Sequence, residues 1–205
     1  MPEGPDIPPL RRSALAEHPF RQFREWYERA EREVPLAQAM TLATVDDAGA
    51  PDARMVLLKG IEPDSFNFFT NLSSAKARQV EASPLAALVI YWHELHRQVR
   101  IRGRVKRLSD AASDEYFATR PREAQIGAWA SPQSEPLPSR AVLEARVREI
   151  DERFWGRPVP RPPFWGGYGL RPQEVEFWQG QVGRLHDRFL YTRTVGGWRL
   201  ERLAP

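Results

Sequence analysis

The chain of 205 residues has an ordinary globular composition, 41% hydrophobic and 28% charged, and its 30 Lys and Arg nearly balance 27 Asp and Glu to leave a net charge of +3. That length fits one domain with a real core, and so small a basic excess argues against nucleic acid as a partner. The absence of cysteine excludes a disulfide, a thiolate metal site and a thiol nucleophile, and four scattered histidines with no HExxH pattern or flanking carboxylate pairs point away from a metal.

Met1 to Pro9 is proline-rich and acidic, unlike the basic-then-apolar start of a signal peptide. No apolar stretch approaches the ~20 residues needed to cross a bilayer. The expectation is a cytoplasmic protein without membrane contact. Residues 1–18 read as a flexible N-terminal arm, and 19–205 as a single domain. Phe20, Phe23, Tyr27 and Ala30 recur at helical intervals after Pro19, which predicts an amphipathic helix. Ala39–Val45 and Ala53–Lys59 flank an Asp-Asp-Ala-Gly turn and predict a hairpin. A strand over Ser65–Thr70 and a helix over Ala75–Ala82 follow. Leu85–His93 reads as an apolar strand. Arg97–Leu108 alternates, with Val99, Ile101, Gly103 and Val105 on one face and Arg100, Arg102, Arg104 and Lys106 on the other. Ser109 caps a helix to about Thr119, Pro121–Pro138 reads as irregular, and Ser139–Phe154 as a helix with Val142, Leu143, Val147, Ile150 and Phe154 at core spacing. Strands over Tyr168–Gln179, Leu185–Thr194 and Trp198–Leu203 complete the chain. Antiparallel strands with a few inserted helices predict an α+β fold built on a small, mostly antiparallel barrel. No GxGxxG or Walker-type loop is present, which argues against a Rossmann or P-loop nucleotide site.

The most informative segment runs from Glu176 to Phe189. Read as a strand, it projects Arg184, His186 and Arg188 from one face. Such a cluster near Trp178 suggests a planar, phosphorylated ligand. The lysines are Lys59, Lys76 and Lys106, every other basic residue being Arg, so a retained Lys hints at a position where a compact ammonium is wanted. Arg54 and Lys59 close the two ends of a strand, which reads equally as an edge strand with solvated ends. Ser73, Ser74 and Lys76 stand at a helix start, either an ordinary cap or a phosphate cradle. Tyr116 and Arg120 are four apart on one helix face. Alone, that pair is more often a surface contact than a site.

Together these segments resemble the pyridoxamine/pyridoxine 5′-phosphate oxidase family. The likeness extends to Phe69-Thr70-Asn71, Ser74-Ala75-Lys76, Trp92-His93 with Arg97-Gln98, Arg120-Pro121-Arg122, Gln125 to Trp129, Gln133-Ser134, Phe164 to Tyr168 and the terminal Arg202-Leu203-Ala204-Pro205. It covers about Phe20 to Pro205, in order and spacing. It implies a split-barrel homodimer with FMN at the subunit interface, oxidising pyridoxamine or pyridoxine 5′-phosphate with O2 to pyridoxal 5′-phosphate and H2O2. It further implies that Arg54 and Lys76 hold the FMN phosphate and that Arg54, Met55, Val56, Leu57, Leu58 and Lys59 lie against the flavin. Phe69, Thr70, Gln98, Gln133, Ser134, Trp178 and Arg188 complete the cofactor set. Lys59, Tyr116 and Arg120 grip the substrate phosphate, and Arg184 and His186 cover the substrate ring as the catalytic pair. Three departures stand out: Ala75 where many relatives carry Arg, Ala124 where many carry Ser, and a short N-terminal arm that keeps Leu10-Arg11-Arg12 but not the earlier basic–aromatic stretch that covers the site in some relatives. Two other readings remain at this point, an oxidase of another aromatic substrate of the phenazine-biosynthesis type, and a non-catalytic split barrel that carries flavin or pyridoxal phosphate.

Overall fold

A computed structural model describes residues 7–205 of the chain. Helix α1 (Pro19–Glu33) starts with Pro19 in its first turn, where the missing N–H costs nothing, and the His18 ring accepts the Phe20 N–H as a cap. Its inner stripe is Phe20, Phe23, Trp26 and Ala30; Tyr27, expected on that stripe, is half-buried at its edge. Phe20 stacks on Phe66 at 4.7 Å between ring centroids, and Phe23 meets the same ring edge-on at 4.8 Å. The helix thereby closes one end of the main core.

The strands are β1 (Ala39–Val45), β2 (Pro51–Leu57), β3 (Gly60–Ile61), β4 (Phe66–Asn71), β5 (Leu85–Trp92), β6 (Arg97–Arg107), β7 (Trp165–Gln179), β8 (Asp187–Thr194) and β9 (Gly197–Leu203). Every pairing is antiparallel, in the order β2-β1-β5-β6-β7-β4-β3, with β8 and β9 branching from β7. The fork follows from length. β7 has 15 residues, so its first half pairs with β4 and its second half with β8, while β6 runs along the opposite edge. β6 shows the expected alternation: Val99, Ile101 and Val105 are buried, whereas Arg100, Arg102, Arg104 and Lys106 face out. A bulge between Arg102 and Gly103 lets the sheet curl. A Cβ on Gly103 would stand 2.0 Å from the Arg171 carbonyl oxygen, so only glycine fits there. This is the curled sheet of a split barrel with peripheral helices, as the sequence led us to expect.

The remaining helices are α2 (Ala75–Ala82), α3 (Asp110–Ala118), α4 (Arg122–Ala130) and α5 (Arg140–Arg153). Helix α4 occupies part of the segment read as irregular. Its periodicity is weak and Gly127 lies inside it, but Ile126 and Ala130 are buried and the Gln125 side chain donates to the Phe117 carbonyl at 3.0 Å, so packing makes the helix. The apolar stripe expected of α5 is not buried in this chain; Ile150 and Phe154 only lean on a second cluster of Phe117, Ile126, Val159 and Trp165.

Two expectations need correction. Residues 1–6 of the expected loose arm lie outside the described residues, but from Pro8 onward the chain is tied down. Leu10 is buried, its N–H donates to Asp187, and the Pro8 carbonyl accepts from Gln179. An arm with few apolar residues is held here by backbone hydrogen bonds, which composition does not reveal. Nor does β8 begin at Leu185. Val182–Arg184 forms a single 3₁₀ turn with Gly183 and Arg184 both at left-handed φ, and the strand starts at Asp187. No helix among the described residues is long and apolar enough to cross a membrane.

Candidate active site

A cleft of about 580 Å³ opens where β2, β4 and the α3–α4 segment converge, lined among others by Leu57, Lys59, Thr70, Lys76, Arg120 and Gln133. One wall is aromatic. A Cβ on Gly167 would come within 2.6 Å of the Phe69 ring, so the glycine lets that ring lie flat across the strand pair. Phe69 then stacks on Tyr116 at 4.1 Å and on Trp165 at 5.3 Å. The Arg120 guanidinium sits over the Trp165 ring at 4.8 Å and over Phe117 at 5.5 Å. Arg120 Nη1 is the only buried side-chain nitrogen or oxygen without a hydrogen-bond partner among the described residues. Burial lowers the Arg120 pKa and raises that of Tyr116.

In the same cleft Lys76 is 9% exposed. Its ammonium donates to Gln133 Oε1 at 3.0 Å and to the Thr70 and Ser74 hydroxyls at 3.3 Å. All three acceptors are neutral. Burial, followed by repulsion from Arg54, lowers the Lys76 pKa. The Ala75 N–H at the start of α2 donates to Ser134 Oγ at 3.2 Å, and Ser134 is held at a φ of 76° to reach it. No ion pair among the described residues involves Lys59, Lys76 or Arg120. A buried cation with neutral partners only, and a buried guanidinium nitrogen with none, together make a place for anions.

Arg54 does not line this cleft. Its Nη1 donates to Thr44 Oγ1 at 2.5 Å and to the Leu42 carbonyl at 3.2 Å, its Nη2 to Gln79 Oε1 at 2.8 Å, and Asp52 forms an ion pair with it. Lys59 lies beyond the end of β2, its N–H donating to Asn67. That ending removes the face conflict which an uninterrupted strand from Arg54 to Lys59 creates. Met55 and Leu57 are exposed beside the cleft, and Leu58 is buried in the core.

The remaining candidates gather elsewhere. Gln98, Trp178 and Arg188 form one cross-strand row over β6, β7 and β8. Trp165 begins β7 and Trp178 nearly ends it, which at about 3.3 Å per residue puts them up to roughly 40 Å apart. The structure therefore divides the expected site residues into two groups at opposite ends of one strand. In the second group Arg188 Nε donates to Glu176 Oε1 at 2.7 Å and Nη1 to the Ala204 carbonyl at 2.9 Å. Glu176, 3% exposed, also pairs with Arg100, and its hydrogen bond raises the Arg188 pKa. The expected face of Arg184, His186 and Arg188 does not exist as a strand face: Arg184 and His186 precede β8 and only Arg188 lies within it. The His186 ring stands 4.7 Å from that of Trp178, and its Nδ1 accepts the Gln181 N–H at 3.1 Å. With Nδ1 accepting, the ring in its neutral form carries its proton on Nε2. Glu176 has no role in the sequence analysis although period two places it on the face of Trp178, and Trp165 enters there only within the likeness of Phe164 to Tyr168. A larger groove of about 820 Å³ between the arm and β9, lined by Arg12, His18 and Trp198, lies apart from both groups.

Fold and cleft together define a split-barrel protein with an aromatic-walled site whose unpaired cations suit an anion. Residues 27–154 match the family model described as pyridoxamine 5′-phosphate oxidase, and 165–205 the one described as pyridoxine 5′-phosphate oxidase C-terminal dimerisation region. The chain is 54% identical to a pyridoxine/pyridoxamine 5′-phosphate oxidase of Rubrobacter xylanophilus over the whole of both chains. It is also 54% identical to one of Burkholderia thailandensis, over 92% of this chain and 89% of the relative. The chain belongs to the pyridoxamine 5′-phosphate oxidase family. Among solved structures it is similar to PhzG of Burkholderia lata 383, crystallised with tetrahydrophenazine-1-carboxylic acid, at a TM-score of 0.91 and 28% identity over 98% of this chain and 100% of that one. A pyridoxamine 5′-phosphate oxidase-related, FMN binding protein of Nostoc punctiforme shares the fold at a TM-score of 0.75 and 22% identity, over 93% and 100%.

Proposed function

We propose that the protein is an FMN-dependent oxidase that converts pyridoxamine or pyridoxine 5′-phosphate to pyridoxal 5′-phosphate. The observation that carries this reading is the buried Lys76 ammonium and the buried Arg120 Nη1, neither with a carboxylate partner, both lining one aromatic-walled cleft. Two anion positions suit a cofactor phosphate and a substrate phosphate. The residues present fit FMN: Lys76, Thr70, Gln133 and Ser134 offer donors around one phosphate, and no glycine-rich loop offers a place for a pyrophosphate. Arg54 joins them by exchanging Asp52 or Gln79 for the anion.

Bound FMN supplies the two-electron acceptor, which O2 regenerates. Overall, the alcohol and O2 give aldehyde and H2O2; the amine, O2 and water give aldehyde, ammonia and H2O2. Lys59, Tyr116 and Arg120 hold the substrate phosphate and so fix the distance of the reacting carbon from it. Arg184 and His186 lie over the substrate ring, His186 donating from Nε2. The separation of the two residue groups along β7 supports a homodimer in which Gln98, Trp178, Arg184, His186 and Arg188 of one chain complete the cleft of the other. The match of the C-terminal region to a dimerisation model supports the same reading.

A second reading, oxidation of a non-phosphorylated aromatic acid, is favoured by the likeness to PhzG. The test is the cofactor released on denaturation, together with H2O2 production from pyridoxamine 5′-phosphate and from pyridoxamine. FMN at one per chain and turnover of the phosphorylated amine alone is the expected result. FAD in the supernatant, or equal turnover of both amines, rules the reading out. A monomer in sedimentation that still holds FMN tightly rules out the shared site.

A further inference from the structure

We infer that Asp187 is a positioning residue: it latches the N-terminal arm and the C-terminal strand to the loop that presents Arg184 and His186. The inference rests on the function proposed above. Asp187, the first residue of β8, is 6% exposed, and its carboxylate reaches three segments. Oδ2 accepts the Leu10 N–H at 2.9 Å and the Gln181 side-chain N–H at 3.1 Å; Oδ1 accepts Arg202 Nη1 at 2.6 Å. Arg202 Nη2 donates to the Leu10 carbonyl at 2.9 Å. Asp187 and Arg202 therefore hold both polar groups of Leu10, while Gln179 holds the Pro8 carbonyl at 2.8 Å.

Gln181 is the joint of this device. Its side chain is on Asp187 and its backbone N–H is on His186 Nδ1, so one residue ties the latch to the catalytic candidate. The loop has little else to fix it: Val182 is 59% and Leu185 73% exposed, and Gly183 and Arg184 are both left-handed. A turn without an apolar anchor depends on its hydrogen bonds for its conformation. If the arm leaves, the Asp187 carboxylate loses the Leu10 N–H and Arg202 loses the Leu10 carbonyl, and the support of Gln181 loosens with them. The arm is thus a strap whose docking sets the aim of His186 and Arg184.

The experiment uses full-length wild type, Asp187→Asn and Arg202→Gln. Hydrogen exchange is followed at residues 8–12 and 181–186, tryptic cleavage after Arg11 and Arg12, and FMN content with kcat and KM for pyridoxamine 5′-phosphate. In Asp187→Asn both segments are expected to exchange about tenfold faster together. FMN content stays at the wild-type level, and kcat falls about tenfold with a smaller change in KM, because orientation rather than binding is lost. Arg202→Gln keeps the buried carboxylate and is expected to show the same paired loosening to a smaller degree; it carries the test should Asp187→Asn fail to fold. Faster exchange and cleavage in the arm with 181–186 and kcat unchanged overturns the inference, as does a fall in kcat with the arm still protected. Wild type that holds no FMN and turns over neither vitamer form overturns the functional reading instead, and the paired exchange still decides whether the latch exists.

Discussion

The molecule has two arginine- and lysine-bearing regions of opposite character. Beside Trp178 three cations are matched: Arg188 and Arg100 share Glu176, and Arg202 pairs with Asp187. In the cleft beside β4, Lys76 has neutral partners only and Arg120 leaves a buried nitrogen bare. A matched region is a finished piece of structure. An unmatched one stores the cost of a desolvated charge until an anion arrives. Positive charge alone thus does not mark a place suited to an anion; the lack of a carboxylate beside a buried cation does.

The sharpest way to break this contrast is to unmatch the matched region. Glu176→Ala is expected to destabilise the fold by about 3 kcal/mol, the lower end of the range for breaking a buried pair because Arg100 is half-exposed; chemical denaturation measures it. A loss under about 0.5 kcal/mol would mean that the pairing is incidental. In the cleft the expectation reverses. Lys76→Met is expected to weaken FMN binding by about 10- to 100-fold, the worth of a charge-assisted hydrogen bond, while the apoprotein gains thermal stability. Flavin fluorescence and a melting curve give both numbers. Next in size, Arg120→Ala is expected to raise KM for pyridoxamine 5′-phosphate about tenfold with kcat little changed, and Arg120→Lys to recover only part, because a fork becomes a point charge.

The smallest effect is that of pH. The folded Lys76 pKa lies below its unfolded value, so between the two the unfolded chain binds more protons and apoprotein stability rises with pH. FMN affinity falls across the same window as the ammonium is lost. Parallel rather than opposed trends would show that Lys76 does not meet the cofactor.

Much of this was legible in the chain itself. The β6 alternation, the cap at Ser109 and the hairpin after Val45 follow from local chemistry, and the collinear motifs supply the residues proposed for the site. What local chemistry does not carry is where the chain departs from regularity. Gly180 and Gly183 bracket the turn that takes Arg184 and His186 out of β8, a signal outweighed by the alternation of charged residues around it. Helix α4 owes its existence to burial of Ile126 against residues distant in sequence. The counter-ion Glu176 could not be assigned from spacing, because its pairing with Arg188 and Arg100 depends on which strands lie alongside, whereas Asp52, two residues before Arg54 on β2, shares its face and was within reach of period two.

The length of β7 has a genetic consequence. One strand carries one residue group at each end, and in the proposed dimer each site draws one end from each chain. Two variants with lesions at opposite ends, Arg120→Ala and Arg188→Ala, are then expected to complement each other when co-expressed and assayed well below the wild-type KM. Random pairing leaves about a quarter of all sites with neither lesion, and activity near that fraction of wild type, above that of either variant alone, is how intragenic complementation would read out the strand.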